Sequence, residues 1–397
     1  MAITTLGNLI SLQRGYDLTK TQRRPGAVPI VGSAGIHGYH DTARAKGPGV
    51  ALGRSGASFG KVSFVKEDYW PHNTTIFVTD FKGNEPLFIR YLLESLDFSS
   101  LNSGSAQQSL NRNYVYLVPV KKFPLPTQRR IAGILSAYDE LIENSQRRIK
   151  ILETMARNLY REWFIHFRIP GSGRETGNEP SPGASRHPLR KVEGLVDSPL
   201  GKIPKGWEVK RLGEIAENVR RNVAKGEIEE PRPYVGLEHI PRRSLVLDAW
   251  ETTTELGSNK LEFKKGEVLF GKIRPYFHKV SVAPFDGLCS SDTIVIRARM
   301  QELYALVVGC VSSDDFVALA TATSNGSKMP RANWSVLAEH QIAIPPAVIA
   351  RQFSAVVEPA IGQMQALVFQ IQNLRRTRDL LLPRLLSGQV ELDGNAS

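Results

Sequence analysis

Thr127 to Arg168 reads TQRRIAGILSAYDELIENSQRRIKILETMARNLYREWFIHFR, and the spacing of its apolar residues decides the fold. Ile131, Leu135, Tyr138, Ile142, Ile149, Leu152, Ala156 and Leu159 recur in steps of three and four, with Ser145 as the one break in the register. That is the period of a helix that lies along another helix. At roughly 1.5 Å per residue the stretch makes a rod of about 60 Å, and a rod of that length needs a partner.

The chain supplies one. Shifting the register by 222 places puts the same positions on Phe353, Val357, Ala360, Met364, Ile371, Leu374, Arg378 and Leu381, with Leu367 where the first copy has Ser145. All but Arg378 are apolar. Each stripe follows a proline pair, Pro124 and Pro126 or Pro345-Pro346, which holds the entry extended. A single stripe would be no more than an amphipathic helix. Two in one register, each closing a globular segment, describe a duplicated unit of globular piece and long helix.

The globular pieces repeat as well. Leu6-Gly7 returns as Leu212-Gly213, PIVG at 29–32 as PYVG at 233–236, FGKVSFV at 59–65 as FHKVSVA at 277–283, TTIFVT at 74–79 as DTIVIR at 292–297, and Gly104-Ser105 as Gly326-Ser327. Short β-branched runs between glycine turns predict small, mainly antiparallel sheets, with a helix at 87–98 in the first piece. The organisation expected is a first globular domain over 1–123, a long helix over 124–168 and a Pro/Gly/Ser-rich linker over 169–205. A second domain follows over 206–343, then a second long helix over 344–388 and a tail over 389–397. The fold class is α+β, with the two rods pairing as an antiparallel coiled coil.

A net charge of +12 points to a polyanionic partner. Residues 1–168 hold 22 basic against 13 acidic residues, or +9, which leaves only +3 for the remainder, so the second half must rely on local clustering. No run approaches a membrane span and the start MAITTLGNLI lacks the features of a signal peptide, so the expectation is a soluble, cytoplasmic protein. Cys289 and Cys310 have no metal-ligand spacing and read as two buried thiols.

No catalytic constellation assembles. GASFGKVS at 56–63 has glycines too close together for a phosphate-binding loop, and Val62 follows its lysine. Glu262-Phe263-Lys264 after Asp248 matches part of a nuclease pattern, but Glu208-Val209-Lys210 matches it as well, as happens by chance in a charged chain. The eight histidines lack zinc-site spacing.

Basic residues do gather in loops at matching stations. In the first half these are Arg14, Lys20, Arg23, Arg24, Arg54 and Lys61, and in the second Arg220, Arg221, Lys225, Lys272, Arg274 and Lys279. Each alone would be a solvated surface charge. Their recurrence singles them out as phosphate contacts, with Tyr276 and His278 adding stacking and hydrogen-bonding capacity. Gln107, Gln108, Asn111 and Arg112, and in the second half Ser327, Lys328 and Arg331, are the candidates for base reading, because amides and guanidiniums form bidentate pairs with base edges. Two other readings stay open: an enzyme with unrecognised catalytic residues, and an interaction scaffold whose basic loops contact protein or RNA.

The order domain, helix, domain, helix resembles the DNA-specificity subunit of type I restriction-modification enzymes. FPLPTQRRIAGILSAYDELI and IAIPPAVIARQFSAVV are similar to the proline-led helical regions of that family, SPLGKIPKGWEVKRLGEI to the opening of its second target-recognition domain, and LLPRLLSGQVEL to its C-terminal ending. The resemblance implies a non-catalytic reader of a split double-stranded DNA site, with the coiled coil setting the spacing. It further implies docking of two modification subunits and, through them, restriction subunits. No cofactor is expected in this chain; S-adenosylmethionine, ATP and Mg are expected in the partners.

Overall fold

The computed structural model describes residues 2–102, 108–170, 189–191 and 194–390, apart from the side chains of 189–191 and of Glu227. Gln107 and the first Gly-Ser loop lie outside the described residues. Contacts divide the chain into two units, residues 1–143 with 373–397, and residues 144–372.

In the first unit Ile3–Thr5 pairs with Pro119–Lys121, and a one-turn helix, Leu6–Leu9, buries both leucines. An antiparallel sheet then takes the order Ser11–Arg14, Thr75–Asp80, Gly49–Gly53, Val62–Val65. Gly49–Gly53 is buried throughout, as the central run GVALG requires. A second sheet holds Gly35–His40, Val28–Gly32 and Trp70–Pro71, the last pair parallel, with Ile30 opposite Trp70. The helix Pro86–Glu94 covers the core through Phe88, Ile89, Leu92 and Leu93.

The second unit follows the same plan. Glu208–Arg211 pairs with Gln341–Ile344, the one-turn helix is Leu212–Ile215, and the sheet order is Ala216–Asn218, Thr293–Ala298, Val268–Gly271, Val280–Val282. Its second sheet has grown to five strands, yet it keeps the parallel pair, with Tyr234 opposite Leu288. Two helices, Tyr304–Val311 and Asp314–Ala322, stand where the first unit has one.

The long helices are α1, Leu125–Tyr160, which runs into a π turn over Arg161–Ile165, and α2, Ala347–Leu386, which continues through Pro383. Each contributes to both units. In the first unit Ile131, Ala132 and Leu135 share a core with Leu385 and Leu386, and further along Asp139 pairs with Arg378 at 2.6 Å, so the helices run antiparallel. In the second unit Ala156 and Tyr160 join Phe353, Val357 and Met364, and the Phe164 and Phe353 rings meet edge to face at 4.7 Å. The register is the one expected: Ile131, Leu135, Ile142, Ser145 and Ala156 are buried on α1, and Phe353, Val357, Ala360, Met364, Leu367 and Ile371 on α2.

Gln128 fixes the start of α1. Its buried amide donates to Asn84 Oδ1 at 2.7 Å and the Phe123 carbonyl at 2.8 Å, and accepts from the Glu85 amide. Across the boundary between the expected helix and linker, Arg168–Pro170 pairs with Leu189–Lys191, and within the expected linker Leu195–Ser198 forms a hairpin with Gly201–Pro204. The hairpin turns at Gly201, whose φ of 86° favours glycine. Both cysteines are free and buried, and burial pushes each thiol up to about 12. Among the described residues no single helix is long and apolar enough to cross a membrane.

Candidate nucleic-acid interface

One loop occupies the same place in each unit. In the first unit residues 54–61 connect Gly49–Gly53 to Val62–Val65; in the second, residues 272–279 connect Val268–Gly271 to Val280–Val282. The Gly53 amide donates to the Lys61 carbonyl at 2.8 Å, and Gly271 does the same to Lys279 at 2.9 Å. Arg54 N meets the Thr74 carbonyl as Lys272 N meets that of Asp292. The Arg54 carbonyl accepts from Leu110 N as that of Lys272 accepts from Ala332 N. Arg54 and Lys272 are thus one structural station, and Lys61 and Lys279 another.

In the first unit the loop borders a polar cluster. Arg23 Nη2 donates to His37 Nε2 at 3.0 Å, the His37 and His72 rings meet edge to face at 5.0 Å, and His72 Nδ1 lies 3.2 Å from Thr74 Oγ1. Burial first, and then the nearby Arg23 charge, hold His72 below the ordinary histidine range; His37 is lowered by burial, His72 and Arg23. Both rings are therefore neutral at physiological pH. The Nε atoms of Arg23 and Arg54 are shielded from water without a partner among the described residues, donors that an acceptor on a ligand would satisfy. Arg14, Lys20, Lys61 and Gln108 are exposed, Lys61 reaching the Ala34 carbonyl at 3.5 Å. Arg24 pairs with Asp41 at 2.8 Å. Asn111 caps the helix Arg112–Leu117 by accepting from Asn113 N, and Arg112 reaches the Leu12 carbonyl at 3.4 Å.

In the second unit a cleft of about 450 Å³ opens beside the loop, lined by Asn218, Arg220, Asn222, Lys272, Asn325, Arg331 and Asn333 among others. Lys272 Nζ donates to the Ser291 carbonyl at 2.7 Å, and Asp292 lies 3.5 Å from Arg331 and 3.8 Å from Lys272. Asn325 and Arg331 close a short turn on each other that leaves Ser327 and Lys328 exposed. Lys225 and Tyr276 are exposed too.

Three of the residues expected to face DNA make contacts within the fold. Arg221 forms a bidentate pair with Glu267, at 2.7 and 2.9 Å, and Glu267 is itself buried, so this guanidinium satisfies an internal carboxylate. His278 is buried with Nε2 donating to the Ser312 carbonyl at 2.9 Å. Lys279 donates to the Leu237 carbonyl. Conversely, the asparagines of the cleft and the pair His37 and His72 escaped the sequence reading. Asn218 ends the strand Ala216–Asn218 and Asn222 sits in the next, Arg221–Val223, so no single strand period marked them as neighbours. Among the described residues no three His, Cys, Asp or Glu side chains gather to hold a metal.

Residues 1–154 match the family described as type I restriction modification DNA specificity domain. The chain is 26% identical to the type I restriction enzyme MjaIX specificity subunit of Methanocaldococcus jannaschii over 77% of its own length and 69% of that protein. It is 23% identical to the EcoDI specificity subunit of Escherichia coli over 65% of its length and 58% of that protein. Its fold is that of the type I restriction-modification S subunit crystallised from M. genitalium, with a TM-score of 0.62 at 15% identity, covering 97% of this chain and 96% of the other. In sequence the chain is thus similar to type I restriction enzyme specificity subunits, and its fold is that of an S subunit of this kind.

Proposed function

We propose that this chain is the non-catalytic, sequence-reading subunit of a type I restriction-modification complex, each unit reading one half of a bipartite double-stranded DNA site. The observation that carries the proposal is the recurrence of one loop framework with different side chains: Arg54 beside His72 and Thr74 in one copy, Lys272 beside Asp292 and Arg331 in the other. Fixed backbone with variable polar surface is what two readers of different base sequences need, since phosphate contacts position a protein and base-edge contacts specify the sequence. The long helices, shared by both units, set the half-site spacing and dock two modification subunits, with restriction subunits following. S-adenosylmethionine, ATP and Mg then belong to those partners, and the complex works in the cytoplasm. Expressed with its modification subunits in a host free of adenine methylation, the chain should direct methylation to adenines within one bipartite motif. Methylation without such a motif, mapped genome-wide, overturns the proposal.

A further inference from the structure

The two equivalent loops reach the same left-handed backbone positions by different means. Gly56 and Gly60 take φ of 72° and 73° in the first unit, where glycine carries no penalty. Eight-residue alignment of 54–61 with 272–279 puts Arg274 and His278 at those places, with φ of 49° and 52°. A residue with a Cβ is disfavoured there, and strain of this kind persists only where the surroundings impose it and tends to mark function. Pro275 follows Arg274 and adds a second preference for extended backbone at the same residue.

His278 has an internal reason, since its buried ring is held by the Ser312 carbonyl and lies 3.4 Å from Asp314. Arg274 has none. Its backbone is pinned, its amide donating to the Pro330 carbonyl at 2.8 Å and its carbonyl accepting from Phe277 N at 2.9 Å. Its side chain has no hydrogen-bond or ion-pair partner among the described residues, and Nε is shielded from water. Its neighbour Ile273 bridges to Arg331, a basic residue of the cleft lining, which places the loop next to that cleft. An unpaired guanidinium on a loop whose backbone is pinned and strained is available for a ligand that presents two acceptors.

We infer that Arg274 is the specificity-determining side chain of the second unit, gripping a base edge with two acceptors such as that of guanine; the first unit, with Gly56 there, reads its half-site through other side chains. The inference rests on the DNA-reading function proposed above. Selection by the full chain from a pool of randomised duplexes should return a preferred sequence, and Arg274→Gly should then bind it roughly ten- to a hundredfold more weakly while melting at the same or a higher temperature. A residue that merely supported the fold would lose stability along with affinity, and that result overturns the inference. So does unchanged affinity and preference in Arg274→Gly. Arg274→Asn, which tolerates the same backbone, should show the same loss of affinity and guards against a folding defect in the glycine variant. Absence of any preferred sequence for the wild-type chain would instead sink the DNA-reading function itself.

Discussion

Residues 54–61 and 272–279 follow one backbone course and share three framework hydrogen bonds, yet they present different chemistry. Around the first loop the polar groups are neutral rings and a hydroxyl, His37, His72 and Thr74, with Arg23 among them. Around the second they are charged, with Asp292 between Lys272 and Arg331 over a bed of asparagines. The framework bonds involve main-chain atoms only, so the side chains were free to diverge without disturbing the turn. Fold and recognition therefore separate cleanly: the backbone carries one and the side chains carry the other.

The helical seam shows the same contrast in its packing. In the second unit Phe353, 1% exposed, sits against Trp163 and Phe164. In the first unit the seam is polar where Arg378 meets Asp139, which also accepts from Tyr91 at 2.7 Å and pairs with Arg90. The largest effect should come from Phe353→Ala, which empties an aromatic site and should cost about 3–5 kcal/mol. Arg378→Leu leaves Asp139 two partners and should cost less, about 1–2 kcal/mol. Urea titration of both variants measures the difference, and equal losses would show that the two seams do not differ as drawn.

An intermediate effect tests the loops. Lys272→Ala and Arg54→Ala should each weaken binding to the preferred duplex about tenfold, or roughly 1.4 kcal/mol. If Lys272 holds a phosphate, its loss also lowers the slope of log affinity against log salt by about one and acts on all sequences alike. Arg54 should instead discriminate among bases, because its guanidinium can grip an edge bidentately and an ammonium cannot. Identical salt slopes and sequence preferences in the two variants would erase the proposed division between the units.

Much of this was legible in the chain before folding. The seam residues from Ile131 to Ala156 and from Phe353 to Ile371 followed from period alone, because a buried helical stripe leaves its spacing in the sequence. The matches FGKVSFV with FHKVSVA and PIVG with PYVG located equivalent strands for the same reason. What was hidden depended on distant partners. Arg221 looks like any surface arginine until Glu267, 46 residues later, folds against it. Arg378, the one charged residue in the second stripe, is explained only by Asp139, 239 residues earlier. Left-handed backbone at Arg274 could be suspected only by setting it beside Gly56, an alignment that becomes secure once the framework hydrogen bonds are seen.

The smallest effect concerns pH and again sets one unit against the other. His37 and His72 both bind protons less readily folded than unfolded, burial being the leading cause, with Arg23 close by in each case; backbone hydrogen bonds at Gly35 and Leu18, and the Asp17 charge beside His72, pull the other way without reversing the shift. Above the ordinary histidine value of 6.5 both states are neutral and the folded chain keeps its full stability. As pH falls beneath that value the unfolded chain gains protons first, so stability drains away. Protonation would also place two further charges beside Arg23, which strengthens attraction to phosphate even as the unit loosens. His72→Gln should therefore flatten the fall in melting temperature between about pH 7.5 and 5.5, with little change at the upper end. His278 and His340 of the second unit are lowered by burial too, so a slope from them must survive the substitution. If His72→Gln left the whole pH profile unaltered, the neutral cluster would have no energetic standing of its own, and the first unit's interface would have to be defined by its arginines alone.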